Sequence, residues 1–283
     1  MAILDNPELM FPQLQLAGAG WDQPARHSFA DRLAAAARHG VTCIGMNVEE
    51  ADKQLAEHSP EELRKIIADH GLRVAEVEVL FGWDHSDEAT ELENHVFELA
   101  VATGARKVKA AGITPPGHEP TSTEVLTSRF GAMCDRAARH GLTIALETIA
   151  AFPGFDLSVA ADVLIGSNRP NGTLQVDTWH LFRDPTGRAA LDRLEARQIG
   201  GLELADGTAE APADLMTECV TARMLPGEGA FPLAELLRDL NDRGVDLPIS
   251  VEVLSSELQP LDVDDIADRT MVAMQKVITA ARG

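Results

Sequence analysis

Four short segments in the C-terminal half each carry an acid at a matching place: TIALE (143–147), LQVD (174–177), GLEL (201–204) and ISVE (249–252). Along each, aliphatic residues alternate with small or polar ones. The aliphatic set is Ile144 and Leu146, Leu174 and Val176, Leu202 and Leu204, Val251 and Val253. The other set runs Ala145 then Glu147, Gln175 then Asp177, Gly201 then Glu203, Ser250 then Glu252. A period of two is a strand signature, with the two sets on opposite faces. In a barrel the aliphatic face packs outward on helices and the other face meets the axis, so the four acids converge near one mouth. Two carboxylates about 4 Å apart repel by roughly 4 kcal/mol at an effective dielectric near 20. Such a set either shares protons or surrounds a cation, and one divalent ion offsets every pair at once. All-oxygen donors favour Mg²⁺ or Mn²⁺. His180, three residues after Asp177, would move that preference toward Mn²⁺, Co²⁺ or Zn²⁺. Each acid taken singly reads as a helix cap or loop-edge carboxylate; four in register read as a site.

The elements that hold these residues are legible as a rhythm. Apolar runs fall at FPQLQLA, VTCIGMNV, VAEVEVLF, KVKAAG, TIALETI, TLQVDT, GGLELAD and PISVEVL, with a helical segment after each. The segments AAARHGV, IADHGL, AVATGA, DRAARHGL and LNDRGV close helices with a Gly suited to the left-handed position, mostly after a basic residue in the last turn. Ser59-Pro60-Glu61-Glu62 is a helix start with a capping box. Ser86 is expected to head a helix bearing Leu92, Val96 and Leu99 on one stripe. Eight βα units predict a (β/α)8 TIM barrel, one α/β domain over 1–283. No GxGxxG follows the first strand, which counts against a dinucleotide-binding sheet.

Composition narrows the partners. The chain has 283 residues and a formal charge of −21, from 24 basic and 45 acidic side chains. Such a surface repels phosphate backbones and anionic lipid, so neither nucleic acid nor membrane is expected. Three scattered cysteines, Cys43, Cys134 and Cys219, without CxxC, fit a reducing compartment. With no signal-peptide pattern, the expected location is the cytoplasm. No nucleophile elbow, Walker loop or HExxH occurs. The sequence leaves room for a homo-oligomer.

Other residues fall at the same mouth. Trp83 and His85 follow the third strand, His118 the fourth, and Lys109 lies near the end of the fourth, where it could steady an anionic oxygen. Arg183 could meet a substrate or cap the turn. Glu76 and Glu78 alternate with Val77 and Val79 and so face the axis. His39, His70 and His140, beside helix-ending glycines, read as structural, and Glu228 reads as a loop-shaping residue.

The stretches ALETIA, QVDTWHLFR, LELADG, ARMLPGEGAFPL and ISVEVLSSEL resemble the xylose-isomerase-like barrel superfamily over about residues 140–256; the first half resembles it in rhythm alone. That resemblance implies a divalent metal held by Glu147, Asp177, Glu203 and Glu252. It also implies that Arg223 reaches a small carbohydrate or polyol-derived substrate. Many relatives carry a neutral ligand where Glu203 stands, so Glu203 either tightens the site or stands off the metal. A metal chelated by a carbonyl and a neighbouring hydroxyl acidifies the proton between them. Glu147 and Glu252 then form the acid–base pair, with His180 as a further catalytic group. Proton return gives an isomerase or epimerase acting through an enediolate. Loss of a β-hydroxyl, assisted by His180 or His85, gives a lyase such as a dehydratase. An endonuclease IV-like enzyme and a non-catalytic sugar-binding barrel are the remaining readings.

Overall fold

The computed structural model describes residues 3–114, 117, 119–152 and 154–283; His118 lies outside the described residues. Eight parallel strands close into one barrel in chain order. They are β1 (Leu9–Phe11), β2 (Cys43–Asn47), β3 (Arg73–Leu80), β4 (Lys107–Gly112), β5 (Thr143–Thr148), β6 (Gly172–Asp177), β7 (Ile199–Leu204) and β8 (Ile249–Val251). An α-helix follows each of the eight strands, and the last, Val263–Arg282, packs near the first, Phe29–Arg38. The expected (β/α)8 architecture is the observed one.

Local chemistry explains most boundaries. The helix-ending glycines Gly40, Gly71, Gly104, Gly141 and Gly244 all have positive φ, the conformation a Cβ disfavours. Ser59 and Glu62 form the expected capping box at Pro60–Asp69. Two boundaries differ from those expected. The first strand ends at Phe11, and Gln13–Leu16 of FPQLQLA form a 3₁₀ turn. Pro12 has no N–H to continue the ladder. Gln15 instead turns inward, donating to Thr270 and accepting from the Val253 amide. The helix after β3 starts at Glu91, because Thr90 accepts from the Glu93 amide. Ser86 ends a 3₁₀ turn, Trp83–His85, and Leu92 is partly exposed while Val96 and Leu99 are buried.

The aliphatic faces of β4 to β8 are buried beneath the helices, including Val108, Ile144, Leu174, Leu202 and Val251. The opposite faces fill the barrel with polar side chains. Gly201 is small for a reason: a Cβ there would lie 1.6 Å from Gln175 Oε1. In register, Asp177 is level with Glu203, Glu203 with Ser250, and Ala111 with Glu147. This alignment sets the acids at the C-terminal ends of their strands. No helix among the described residues is long and apolar enough to cross a membrane.

Candidate metal centre and active site

The barrel interior holds two charge clusters. The deeper one contains Glu76, Glu78 and Glu203, which offer oxygens within 4.8 Å of one another. Strand β4 answers it with two lysines. Lys107 Nζ lies 2.7 Å from Glu76 Oε2, and Lys109 Nζ lies 2.6 Å from Glu78 Oε2. Lys109 also donates to both oxygens of Glu203, at 2.8 and 2.9 Å. Against the desolvation that works to raise it, Lys107 and then Lys109 hold the Glu76 carboxyl below its ordinary range. Burial lifts Glu78 to about 6 in spite of Lys109. Burial works against the Lys109 ammonium, but Glu147, Glu203, Glu78 and Glu252 keep it well above its ordinary range. Burial also pushes Glu203 strongly upward while Lys109 opposes it. An ammonium bonded to both oxygens of one carboxyl forms a charge pair only with the ionised form. We therefore read Lys109–Glu203 as an ion pair.

The upper cluster contains Glu147, Asp177, His180 and Glu252. Ligand atoms of Glu147, Asp177 and His180 lie within 4.8 Å of one another, as do those of Asp177, Glu203 and Glu252, so Asp177 joins the two groups. Asp177 has two jobs. Its Oδ1 caps the short helix Thr178–Arg183 by accepting from the amides of Trp179 and His180, and its Oδ2 accepts from Arg223 Nη1 at 2.7 Å. Burial works to raise the Asp177 carboxyl, but Arg223 and His180 hold it below its ordinary range. Among the described residues Glu147 has no such ion-pair contact. Burial pushes it up to about 8, opposed by Lys109 and reinforced by Glu252 and Asp177. Glu252 follows β8 directly and lies 3.5 Å from Arg223 Nη1.

His180 is buried and neutral, its pKa pushed down to about 3 by burial. Its Nδ1 accepts from the Ala150 amide at 3.1 Å, which leaves the ring proton on Nε2. Nε2 faces Arg223 Nη2 at 3.3 Å. With the proton on Nε2 both nitrogens are donors, so they do not satisfy each other. The Arg223 guanidinium is otherwise fixed by the Cys219 carbonyl and lies 5.2 Å from the centre of the Trp179 ring. It also lines a cavity of about 330 Å³ between the segments after β7 and β8, bordered by Met224, Glu228, Ser255, Ser256 and Arg269.

The other residues expected at the mouth separate clearly. Trp83 is buried, donating to the carbonyl of Ala111, the residue level with Glu147, and packing edge-on against Phe130 and Phe155. His85 is exposed, 3.7 Å from Asp84. Arg183 is buried in a two-point pair with Glu218, bonds Thr208, and covers the Phe231 ring; it braces the long segment after β7. Two residues of that bracing were not singled out by type or spacing. Glu218 is one. Asp206 is the other: fully buried, it accepts from the amides of Gly207, Gly227 and Phe231, and its backbone pairs with Met224 beside Arg223. The Asp-Gly pair directly after a strand was the available signal for it.

The donor set fits a divalent ion. The upper cluster sets Glu147, Asp177 and Glu252 against Arg223, an excess of two negative charges when all are ionised, in a region that solvent scarcely reaches. A closed eight-stranded barrel with a carboxylate-lined C-terminal mouth defines a class of enzyme-bearing fold. The chain belongs to the xylose isomerase-like TIM barrel family, whose model matches residues 33–276. It is 22% identical over 257 residues to an inosose isomerase of Bacillus velezensis, covering 86% of this chain and 89% of that relative. Among solved structures it is similar to IOLI protein with a binding zinc atom, at a TM-score of 0.82 and 19% identity, covering 96% of this chain and 98% of the other. It is also similar to L-ribulose 3-epimerase, at a TM-score of 0.69 and 19% identity over 98% and 96% of the two chains.

Proposed function

We propose that this chain is a divalent-metal-dependent isomerase or epimerase of a small unphosphorylated sugar, keto-sugar or inosose. The observation that carries the reading is the buried carboxyls Glu147, Asp177 and Glu252, of which Asp177 offers an oxygen within 4.8 Å of each of the other two. The inosose isomerase and epimerase relatives support the substrate class, and the zinc-bound neighbour supports a divalent ion. Glu147, Asp177 and Glu252 would hold it, and Mn²⁺ and Mg²⁺ suit these oxygen donors best; His180, with Nδ1 on the Ala150 amide and its proton on Nε2, has no free lone pair for the ion.

A bound divalent ion would polarise a substrate carbonyl and acidify the adjoining C–H. Glu252 removes that proton with an oxygen turned away from the ion and returns it to the neighbouring carbon in an isomerisation. In an epimerisation Glu147, taking up a proton from solvent, supplies one to the opposite face. Arg223, held by Asp177 and the Cys219 carbonyl beside the acids, orients a substrate oxygen. A lyase is the second reading: Glu252 passes the proton it removed to a departing β-hydroxyl, which leaves as water, while His180 Nε2–H hydrogen-bonds that oxygen. The test is incubation with a panel of keto-sugars and inososes in deuterated water with Mn²⁺. Deuterium at the carbon next to the carbonyl, with the rest of the mass conserved, supports the isomerase or epimerase. Loss of water with a new enone absorbance selects the lyase. No exchange and no elimination across the panel rejects both.

A further inference from the structure

We propose that Lys109 acts as a built-in cation that keeps Glu203 out of the metal shell, so that the ion is held by three carboxylates, Glu147, Asp177 and Glu252. This rests on the metal-dependent reading above and assigns the one strand-end acid whose role that reading leaves open. Glu203 stands level with Asp177 and close enough to it and Glu252 to share an ion. Proximity alone does not make it a ligand, because both of its oxygens already accept from Lys109, at 2.8 and 2.9 Å. The ammonium is 1% exposed and has Glu78 at 2.6 Å as its third contact, so it has no solvent to retreat into and no free proton to offer elsewhere. Turning a Glu203 oxygen toward a metal would break one of those bonds and bring a dication toward an immobile ammonium.

Charge supports the same division. The deeper cluster of Glu76, Glu78 and Glu203 is largely neutralised from within by Lys107 and Lys109. Among the described residues Arg223 is the cation in ion-pair contact with the upper cluster, while Lys109 acts on Glu147 and Glu252 from farther off. Lys109 and Glu203 therefore form a positioning unit. Together they are close to neutral toward the metal; separately each would shift its affinity in an opposite direction.

The experiment measures Mn²⁺ affinity by calorimetry and inner-sphere water by proton relaxation. The variants are Glu252→Gln, Glu203→Gln, Lys109→Gln and the Lys109→Gln/Glu203→Gln double variant, each checked for fold by near-ultraviolet circular dichroism. Loss of a true ligand in Glu252→Gln weakens binding by more than about a hundredfold, beyond the usual effect of an outer-shell partner. Lys109→Gln tightens binding and Glu203→Gln weakens it, each by about tenfold from the unbalanced neighbouring charge. The double variant returns to within about threefold of the parent, since the coupled pair is removed as a unit, and its inner-sphere water count is unchanged. A double variant as weak as Glu252→Gln makes Glu203 a ligand and overturns the proposal. A parent chain that binds no divalent ion rejects the metal reading and the shell assignment with it. The pairing is then judged alone by a double-mutant cycle in thermal unfolding: recovery of the melting temperature in the double variant upholds it, and simple additivity overturns it.

Discussion

Removing divalent ions should leave the barrel mouth electrostatically strained, and restoring one should raise the melting temperature. The acid groups that share Asp177 have ligand atoms no more than 4.8 Å apart. At an effective dielectric near 20, each ionised pair at that spacing repels by about 3.5 kcal/mol. Arg223, 2.7 Å from Asp177, offsets part of this, and a proton on Glu147 offsets more. A divalent ion would replace both the repulsion and the proton with attraction. At a concentration one hundred times its dissociation constant, a ligand specific to the folded state adds about 2.7 kcal/mol of stability. For a domain of this size that corresponds to a rise of about 5–10 °C. The assay is circular dichroism melting of chelator-dialysed protein at pH 7.5, titrated separately with Mn²⁺, Mg²⁺, Co²⁺ and Zn²⁺. Glu252→Gln should melt no lower than the metal-free parent, because one repulsive charge is gone, yet it should lose most of the metal-induced rise. A parent melting curve unmoved by all four ions would refute the reasoning, as would an undiminished rise in Glu252→Gln.

Three further outcomes follow from other parts of the structure. Glu50, buried against Arg32, Gln13 and Gln54, has burial working to raise its pKa, but Arg32 and the amides hold it below the ordinary glutamate range. The stability it contributes is full above its unfolded pKa and is lost as pH falls through the lower folded value. Glu50→Gln should therefore cost about 3 kcal/mol near neutrality, and urea unfolding should show the gap closing as the medium becomes more acid than pH about 4; a gap constant with pH would reject the linkage. Gly201→Ala should destabilise by about 1–3 kcal/mol through overpacking, because its Cβ would meet Gln175 Oε1 at 1.6 Å. Adding Gln175→Ala should recover most of that in the same unfolding assay. Arg183→Met strands buried Glu218 and should cost about 3–5 kcal/mol, with faster proteolysis within 207–231 and unchanged Mn²⁺ affinity; a changed affinity would place Arg183 in the site instead.

The barrel was legible because a parallel eight-stranded closure repeats one local instruction: a buried apolar run, a helix, and a left-handed glycine. The repetition survives local errors. Pro12 cut the first strand short and Thr90 moved a helix start, yet neither changed the strand order. The acids were legible for a related reason. Alternation assigns each strand residue a face, and register then brings Asp177 level with Glu203 without long-range information. What alternation cannot convey is which cation each acid meets. Lys107 and Lys109 sit on one strand, two residues apart, and their alternation is as plain as that of the acids. Only closure of the barrel shows that β4 reaches across to β7, so that Lys109 meets Glu203, 94 residues away. The same holds for Arg183, whose partner Glu218 lies in the long segment after β7 and whose role as a brace has no periodic signature. Trp83 shows another limit: its position after a strand pointed to the mouth, and only the fold shows that it donates to the Ala111 carbonyl while packing edge-on against Phe155 and Phe130. Strand-end acids are fixed by the fold's own geometry, whereas the charge that each acid keeps is decided by contacts across the barrel. Chemistry at this mouth depends on both, and the departure at Glu203 becomes intelligible only when Lys109 is counted with it.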